Sequence, residues 1–498
     1  MSADMGAIET YPGAEKPDTG GFPDSTRDKA CRQVIEYGLL GLLIFSPLPA
    51  ASVNEWSLLV IELTVLGMLG AYASMRARTP PNPLLGPAVR LPGFLFAGLF
   101  VFWLIQFIPF PAAVVRFLSP GAYGFSRLYS VDFSRAKFLS FSLIPSLTFR
   151  KGLELIPYFL LGFLVLKTIT RRRQFQRIIV VLAAVGAVEA LYGLFELHRR
   201  SPRILFYPKV ENLDSATGTF VNQNHFSGFL EMIIPLAIGL LVSRIDFYSM
   251  RGLSLRQKIR RLSDKRQTGN LFLLFAIILM SLGIVFSKSR SGVFIVGFTF
   301  LLFLGLISIF SAVAYTPQNK IKTALKSIFL LVVGLSLYLG IDATLQRFSL
   351  DNLLREERPT YWVNTLRLFA ERPLFGSGLG TFGSLYPPLD GESGPVFLEH
   401  AHNDYLEYLA ELGLVGFSLL LGGILLIGIK SFLVWRTRKQ PEVIGLALGG
   451  IVSIINILVH SLTDFNLHIP ANMVLFSVIL PLTLVMAFHK RQTPLKEN

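Results

Sequence analysis

The sequence predicts an all-α, polytopic integral membrane protein, and three observations support this fold class. Of its 498 residues, 52% are hydrophobic and only 16% are charged, and the mean hydropathy is +0.54; soluble proteins of this size are less apolar. The apolar residues form runs long enough to cross roughly 30 Å of hydrocarbon as helices. Basic residues collect in alternate connections between the runs. Because backbone polar groups in a bilayer must be bonded internally, we expect these runs to be helices.

The chain divides into two tails and one membrane domain. Residues 1–32 are polar and rich in Pro and Gly, without a signal-peptide pattern, and are predicted to form a disordered cytoplasmic tail. Residues 33–488 are predicted to form the multi-span domain, and residues 489–498 a second cytoplasmic tail. About twelve transmembrane helices are expected, over residues 33–50, 57–75, 92–110, 152–169, 177–195, 225–243, 270–287, 291–313, 324–342, 405–429, 443–461 and 470–488.

The distribution of basic residues predicts the orientation. With both termini in the cytoplasm, 30 of the 47 Lys and Arg fall on the cytoplasmic side, as the positive-inside rule requires. The net charge of +15 is therefore interpreted as a topology signal, and nucleic acid is not expected as a partner. The single cysteine, Cys31, excludes a disulfide framework and a multi-cysteine metal site.

Three long connections are predicted on the opposite, extracytoplasmic side: residues 111–150, 196–224 and 343–404. Connections of this length are usually functional. The last is a large loop between the ninth and tenth spans. Within it, Trp362, Leu366 and Phe369 share one face at helical spacing, which predicts an amphipathic helix at the membrane surface.

The short turn Ser287–Gly292 between two spans carries Lys288 and Arg290. Two cations beside three hydroxyls and a glycine form a suitable receptor for a phosphate group, because Arg offers a planar fork to its oxygens. In the alternative interpretation, both cations only extend to the membrane interface.

A second polar group, Glu399–Tyr405, lies where the large loop returns to the membrane. Asp404 followed by Glu407 predicts a helix N-cap with its capping box, which places His402 just outside a helix N-terminus. The positive end of a helix favours a neutral imidazole that accepts a proton. A metal site formed by Glu, His, His and Asp of this group, or a polar helix end without chemistry, are the alternatives, although His400 and His402 lack the usual zinc spacing.

Two further groups contain amides and an acid beside aromatic residues. Asn222 and Asn224 precede the sixth span, and Asp464 follows the eleventh. Such side chains are suited to recognising sugar hydroxyls, but Asn and Asp at helix ends are also ordinary caps. Their interest is that all four groups are predicted on one side of the membrane.

Other signals carry less weight. Gly378–Gly383 matches the dinucleotide fingerprint but has no strand–helix–strand context, and a flexible turn is expected there. No Walker lysine motif occurs in the sequence, which argues against ATP-driven transport. Carboxylates in or near apolar spans are functional candidates by default, and they are Glu62, Glu154, Glu189 and Glu231.

Taken in order, these groups resemble the O-antigen ligase and O-antigen polymerase superfamily of bacterial envelope polysaccharide assembly. The resemblance runs over about residues 35–488, with a ligase-related core at 215–430. Its most specific motifs are Ser289–Gly292, Arg358 with Trp362, Phe375–Phe382, Ala401–Glu407 and Glu411–Gly416.

The resemblance implies a GT-C-like glycosyltransferase in the bacterial inner membrane with a periplasmic active site. Such an enzyme moves a glycan from undecaprenyl diphosphate to an acceptor hydroxyl such as lipid A-core, with inversion and without a metal or nucleotide cofactor. It implies that His402 and Arg290 are catalytic, with His402 either the base or a diphosphate ligand. The substrate-binding set that it implies is Arg358, Lys288, Asn222, Asn224, Asn403 and Asp464.

Several functions remain open at this point. The same superfamily contains ligases of lipopolysaccharide biosynthesis, polysaccharide polymerases and relatives that glycosylate protein, all using lipid-linked donors. From a different class, a transporter of lipid-linked sugars would also explain the twelve spans, but its site is expected near the middle of the bilayer. The ligase is the favoured hypothesis.

Overall fold

The structure, a computed structural model, describes most of the chain. The described residues are 26–75, 85–130, 133–200, 203–244, 265–309, 318–339, 341–349, 357–386, 389–391, 394–396 and 398–489. The predicted disorder of residues 1–25 and the tail beyond residue 489 lie outside them.

Helices form most of the described chain, as the sequence predicts. In chain order they are α1 (Thr26–Phe45), α2 (Glu55–Ser74), α3 (Leu85–Phe107), α4 (Ala112–Leu118), α5 (Pro120–Tyr129), α6 (Pro145–Thr168), α7 (Arg172–Arg199), α8 (Gln223–Arg244), α9 (Lys265–Phe286), α10 (Arg290–Ile309), α11 (Gln318–Leu339), α12 (Asp342–Gln346), α13 (Arg358–Glu371), α14 (Phe382–Leu385), α15 (Asp404–Trp435), α16 (Pro441–His460) and α17 (Pro470–Phe488). Single 3₁₀ turns cover Ala50–Ser52, Phe133–Arg135 and Asn466–His468.

The strands of the described chain are short and pair only as two-stranded antiparallel sheets in the connections. They are β1 (Phe110–Pro111) with β2 (Phe138–Leu139), β3 (Arg203–Ile204) with β4 (Tyr207–Pro208), and β5 (Leu389–Gly391) with β6 (Gly394–Val396). The fold class is therefore all-α and polytopic.

Ten helices within the described residues are long and apolar enough to cross a membrane: α2, α3, α7–α11 and α15–α17. The other two predicted spans coincide with α1 and α6, which are 20 and 24 residues long but carry several charged residues each. Helix α1 also starts at Thr26, inside the segment predicted as a disordered tail, and it ends at Phe45, ahead of Pro47 and Pro49, which have no backbone N–H to donate to a continuing helix.

Helices α8, α16 and α17 form the centre of the bundle. Their apolar windows are 94%, 83% and 83% buried, against 22% for α2 and α3 at the periphery. Helices α8 and α16 approach so closely that a Cβ on Gly449 would lie 2.6 Å from the carbonyl oxygen of Pro235. Small residues at such a contact are typical of membrane helix pairs.

Helix α15 is broken at Gly413, which has φ 62° and ψ −176°. A segment of the large loop completes its backbone hydrogen bonds: Ser377 N donates to Ala410 O, and Leu414 N donates to Pro373 O. The side chain of Gln106 donates to Glu411 O at 2.9 Å. Non-helical backbone at membrane depth is tolerated where protein groups satisfy it in this way.

The beginnings of α8, α10, α13 and α15 meet at one end of the bundle. They surround the connection between α16 and α17, to which each is joined by side-chain hydrogen bonds. This arrangement brings together residues that lie up to 240 positions apart in the chain.

Candidate active site

Asp464 lies at the centre of this convergence, and its side chain is fully buried. One carboxylate oxygen accepts hydrogen bonds from Phe465 N at 2.9 Å and from His402 Nδ1 at 3.1 Å. The other accepts one from Asn224 Nδ2 at 2.5 Å and lies 3.5 Å from Arg358 Nη2. A buried carboxylate of this kind needs several donors, and here four are supplied.

These partners keep the Asp464 carboxyl in its ionised form. Burial alone would raise the pKa of the Asp464 carboxyl, but His225, His402 and the Arg358 guanidinium together hold its pKa well below the usual range. Asp464 is therefore ionised and accepts hydrogen bonds only. His402 then donates its Nδ1 proton to Asp464, so that in the neutral ring the lone pair is on Nε2.

His402 lies immediately before α15 and has a left-handed backbone with φ 49°. Asn403, not Asp404, is the N-cap, since its side chain accepts a hydrogen bond from Leu406 N at 3.1 Å. The predicted capping box of Asp404 and Glu407 is therefore wrong. The carboxylate of Asp404 is instead held by Ser461 Oγ at 2.7 Å. The position predicted for His402, outside a helix N-terminus, is nevertheless the observed one.

Cationic side chains gather beside His402. Arg358 donates from Nη1 to Thr463 O at 2.5 Å and is one-fifth exposed. Arg290 is half-buried and lies within electrostatic range of both Arg358 and Arg347. The neighbouring Ser291 shares a hydrogen bond with Thr463 at 2.8 Å. Arg290 is repelled by both of these guanidinium groups, and an anion bound beside Arg290 would relieve this repulsion.

Lys288 is directed to a different partner. It has φ 60° in the tight turn between α9 and α10, and its Nζ lies 2.5 Å from Asp214 Oδ2. The hydrogen bond from Lys288 lowers the pKa of the Asp214 carboxyl. Lys288 therefore joins the turn to the segment before α8, and its positive charge is balanced by the Asp214 carboxylate.

The predicted asparagine ligands mainly support the backbone. Asn222 Oδ1 accepts a hydrogen bond from Asn224 N at 2.8 Å, and Asn403 caps α15 while its Nδ2 donates to Leu462 O at 2.9 Å. Asn224 holds Asp464. Asp464 itself is fully buried and bonds His402, and its contact with substrate stays a prediction.

Sequence reasoning gave no role to Tyr361 or to His225. The Tyr361 ring centroid lies 6.3 Å from that of His402; burial and the hydrogen bond that Tyr361 donates to Glu357 raise its pKa to about 12. His225 Nε2 lies 3.6 Å from Asp464 Oδ1, and its ring packs edge-on against Phe465. The predicted helix of the large loop, observed as α13, carries Tyr361 at helical spacing from Arg358, which was the available signal.

The glycine-rich segment Gly378–Gly383 is not the flexible turn that the sequence suggests. Gly380 N and Phe382 N both donate to the buried carboxylate of Glu411, at 2.8 and 2.9 Å. Gly378 has φ 111°, a conformation that glycine adopts readily because it has no Cβ. The segment is thus a tightly bonded support for α15.

Three of the carboxylates in or near apolar helices, Glu154, Glu189 and Glu231, have bonded partners. Glu231 is fully buried and bonds His460 Nδ1 at 2.9 Å. Glu189 accepts hydrogen bonds from Thr219 N and Thr219 Oγ1, both at 2.8 Å, and Glu154 forms ion pairs with Arg150 and Lys151. The Glu231 contact joins α8 to α16 and the Glu189 contacts join α7 to the segment before α8, whereas the Glu154 ion pairs lie within α6. All of them lie outside the His402 cluster.

Residues 275–421 match the Wzy_C family model, described as O-antigen ligase. The match confirms the resemblance to this superfamily that the sequence motifs indicate. The matched segment runs from α9 into α15 and contains Arg290, Arg358 and His402, whereas Asn224 and Asp464 lie outside it. A search of curated proteins finds no match to the chain.

Proposed function

We propose that the chain is an O-antigen ligase-like glycosyltransferase that moves a glycan from undecaprenyl diphosphate to an acceptor hydroxyl. The observation that carries the proposal is the pairing of His402 with the buried Asp464 beside Arg290 and Arg358. One partly exposed group able to accept a proton therefore lies next to a site able to bind phosphate.

His402 acts as the base. Its Nδ1 proton is held by Asp464, so the Nε2 atom takes the proton from the acceptor hydroxyl as that oxygen attacks. Asp464 is a positioning residue: it fixes the tautomer and orientation of the ring and stabilises the imidazolium that forms. Asn224 and Arg358, which bond its other oxygen, keep this carboxylate in place.

Arg290 and Arg358 bind the diphosphate. The bond between the anomeric carbon and the diphosphate oxygen breaks, its electron pair leaves with the diphosphate, and the acceptor oxygen forms the new glycosidic bond. Guanidinium groups stabilise the negative charge that develops on the departing diphosphate. Attack from the face opposite the leaving group inverts the anomeric carbon. Neither a nucleotide nor a metal is needed for this step.

The proposed orientation places both termini in the cytoplasm and the site on the periplasmic face of the bacterial inner membrane. The distribution of basic residues supports it.

Lipid A-core is the proposed acceptor and the ligase is favoured over a polymerase, because the matching family model is described as O-antigen ligase. The polar residues of the site gather at one end of the bundle, which disfavours a midplane transport site.

The test is a profile of envelope glycans after deletion of the gene, with wild type, His402→Ala and His198→Ala restored in parallel. His198 is exposed at the end of α7 and has no place in the site, so it is the matched control. Polymer retained on the lipid diphosphate and bare lipid A-core, in the deletion and His402→Ala strains only, supports a ligase.

Three other results change the conclusion. Lipid A-core capped by a single repeat unit indicates the polymerase. Unchanged glycans in the deletion strain contradict the proposed substrate altogether. Donor flux across proteoliposomes without glycan transfer would favour the transporter.

A further inference from the structure

A second histidine–carboxylate cluster lies behind His402, built from His400, Glu407 and His468. One donor atom from each of the three lies within 4.8 Å of the other two. His400 Nδ1 is 2.8 Å and His468 Nε2 is 3.3 Å from the same oxygen, Glu407 Oε1. Two imidazole nitrogens and one carboxylate oxygen are a common donor set for divalent transition metals.

The hydrogen-bond partners of these three residues are of the kind found around protein-bound metals. His468 Nδ1 donates to Asp404 Oδ1 at 2.8 Å, and a metal-binding histidine usually gives its other N–H to a carboxylate in this way. The other Asp404 oxygen is held by Ser461 Oγ. Glu407 Oε2 accepts a hydrogen bond from Ala401 N at 2.8 Å, which leaves Oε1 facing the two rings.

Both rings are fixed by stacking. His400 stacks on Phe465 with centroids 4.2 Å apart, and His468 stacks on Tyr408 at 4.6 Å, each pair 19° from parallel. The side chains of Glu407 and His468 are 2% and 3% exposed, whereas that of His400 is 28% exposed. The site is thus closed on one side and open at His400, where an ion can enter and a water can complete its coordination.

We propose that His400, Glu407 and His468 bind one divalent transition-metal ion of the zinc type. The ion joins the segment before α15 to the 3₁₀ turn Asn466–His468, and so fixes the loop that carries His402. Its role is structural. The inference goes beyond the proposed glycosyl transfer, because it concerns a different set of side chains and holds whatever the reaction is.

The test uses the purified full chain in detergent, stripped with a chelator and titrated with Zn²⁺ alone by calorimetry. We expect one ion per chain and a thermal unfolding midpoint that rises with zinc. Losing one ligand should weaken binding at least about tenfold, so Glu407→Gln and His468→Ala are expected to lose affinity while His198→Ala keeps it.

Buried variants can fail to fold, and His400→Ala resolves this case because its side chain is the exposed ligand. We expect it to fold and to bind Zn²⁺ more weakly than wild type. Equal affinity in His400→Ala and wild type, or the absence of stoichiometric binding to the stripped wild-type chain, would overturn the proposal. Neither result depends on the glycan assay, so the two proposals fail separately.

Discussion

Two histidine–carboxylate pairs each take one member from the end of α16: His460 is the last residue of the helix, and Asp464 follows four residues later. In one, His402 bonds Asp464, and the ring is 24% exposed. In the other, His460 bonds Glu231, and both side chains are fully buried. The chemistry of the pairs is the same, but only the first can be reached by a substrate. The exposure of the histidine to substrate therefore distinguishes a candidate base from a structural contact, because the histidine–carboxylate pair is present in both cases.

The surroundings of the two pairs also point to a site in the first case and to a structural contact in the second. Asp464 is held by three separate elements beside a group of arginines. Glu231 joins α8 to α16, the two helices that pack most closely through glycines. We therefore expect changes at the first pair to affect turnover and changes at the second to affect folding.

Replacing His402 by Ala should give the largest effect on activity. General base catalysis contributes about 10²- to 10⁴-fold, so the transfer rate should fall by that factor while the thermal unfolding midpoint stays near that of wild type. The measurement is transfer from a purified lipid-linked donor, with His198→Ala as the control. A His402→Ala protein with wild-type turnover would remove His402 from the mechanism.

Replacing Glu231 by Leu should give the largest effect on stability. Breaking a buried pair by removing one partner costs about 3–5 kcal/mol, whereas replacing both partners by apolar residues is often neutral. We expect the double variant Glu231→Leu with His460→Leu to unfold nearer to wild type than Glu231→Leu alone, as measured by thermal unfolding in detergent. A double variant less stable than the single one would show that the pair does more than join two helices.

Arg290 should show a smaller effect on activity than His402. Loss of one preorganised donor in a site of this kind costs about 10²- to 10³-fold in turnover, and Arg290→Ala is expected at the lower end because Arg358 remains. Arg290→Lys keeps the charge but loses the planar fork and should recover only part of the rate. Full activity in Arg290→Ala would contradict the diphosphate role.

The smallest effect is expected at the contact between α8 and α16. A Cβ at Gly449 would lie 2.6 Å from Pro235 O, and overpacking of this kind costs about 1–3 kcal/mol. Gly449→Ala should lower the unfolding midpoint, whereas Gly305→Ala, which meets nothing within 4 Å, should not. Equal midpoints for the two variants would mean that the helices adjust to the extra methyl group.

The fold class and most helices follow from the sequence because apolar runs of sufficient length have few alternatives. The site was predictable in part. Local signals placed His402 at a helix start and Arg290 in a polar turn, but the partner of His402 lies 62 residues away, and no periodicity reports such a contact. The capping prediction failed because Asp404 bonds Ser461 and His468, which is a property of the assembled bundle.

The break in α15 at Gly413 has a consequence for engineering. The carbonyl and amide groups released there are bonded by residues 373–378 and by Gln106 of α3, so three separate parts of the chain share one set of backbone bonds. A chimaera that replaces α15 by an unbroken helix would leave residues 373–378 and the Gln106 amide without these partners. Residues 373–382 and the first half of α15 therefore form one transplantable unit, and Gln106 must travel with it.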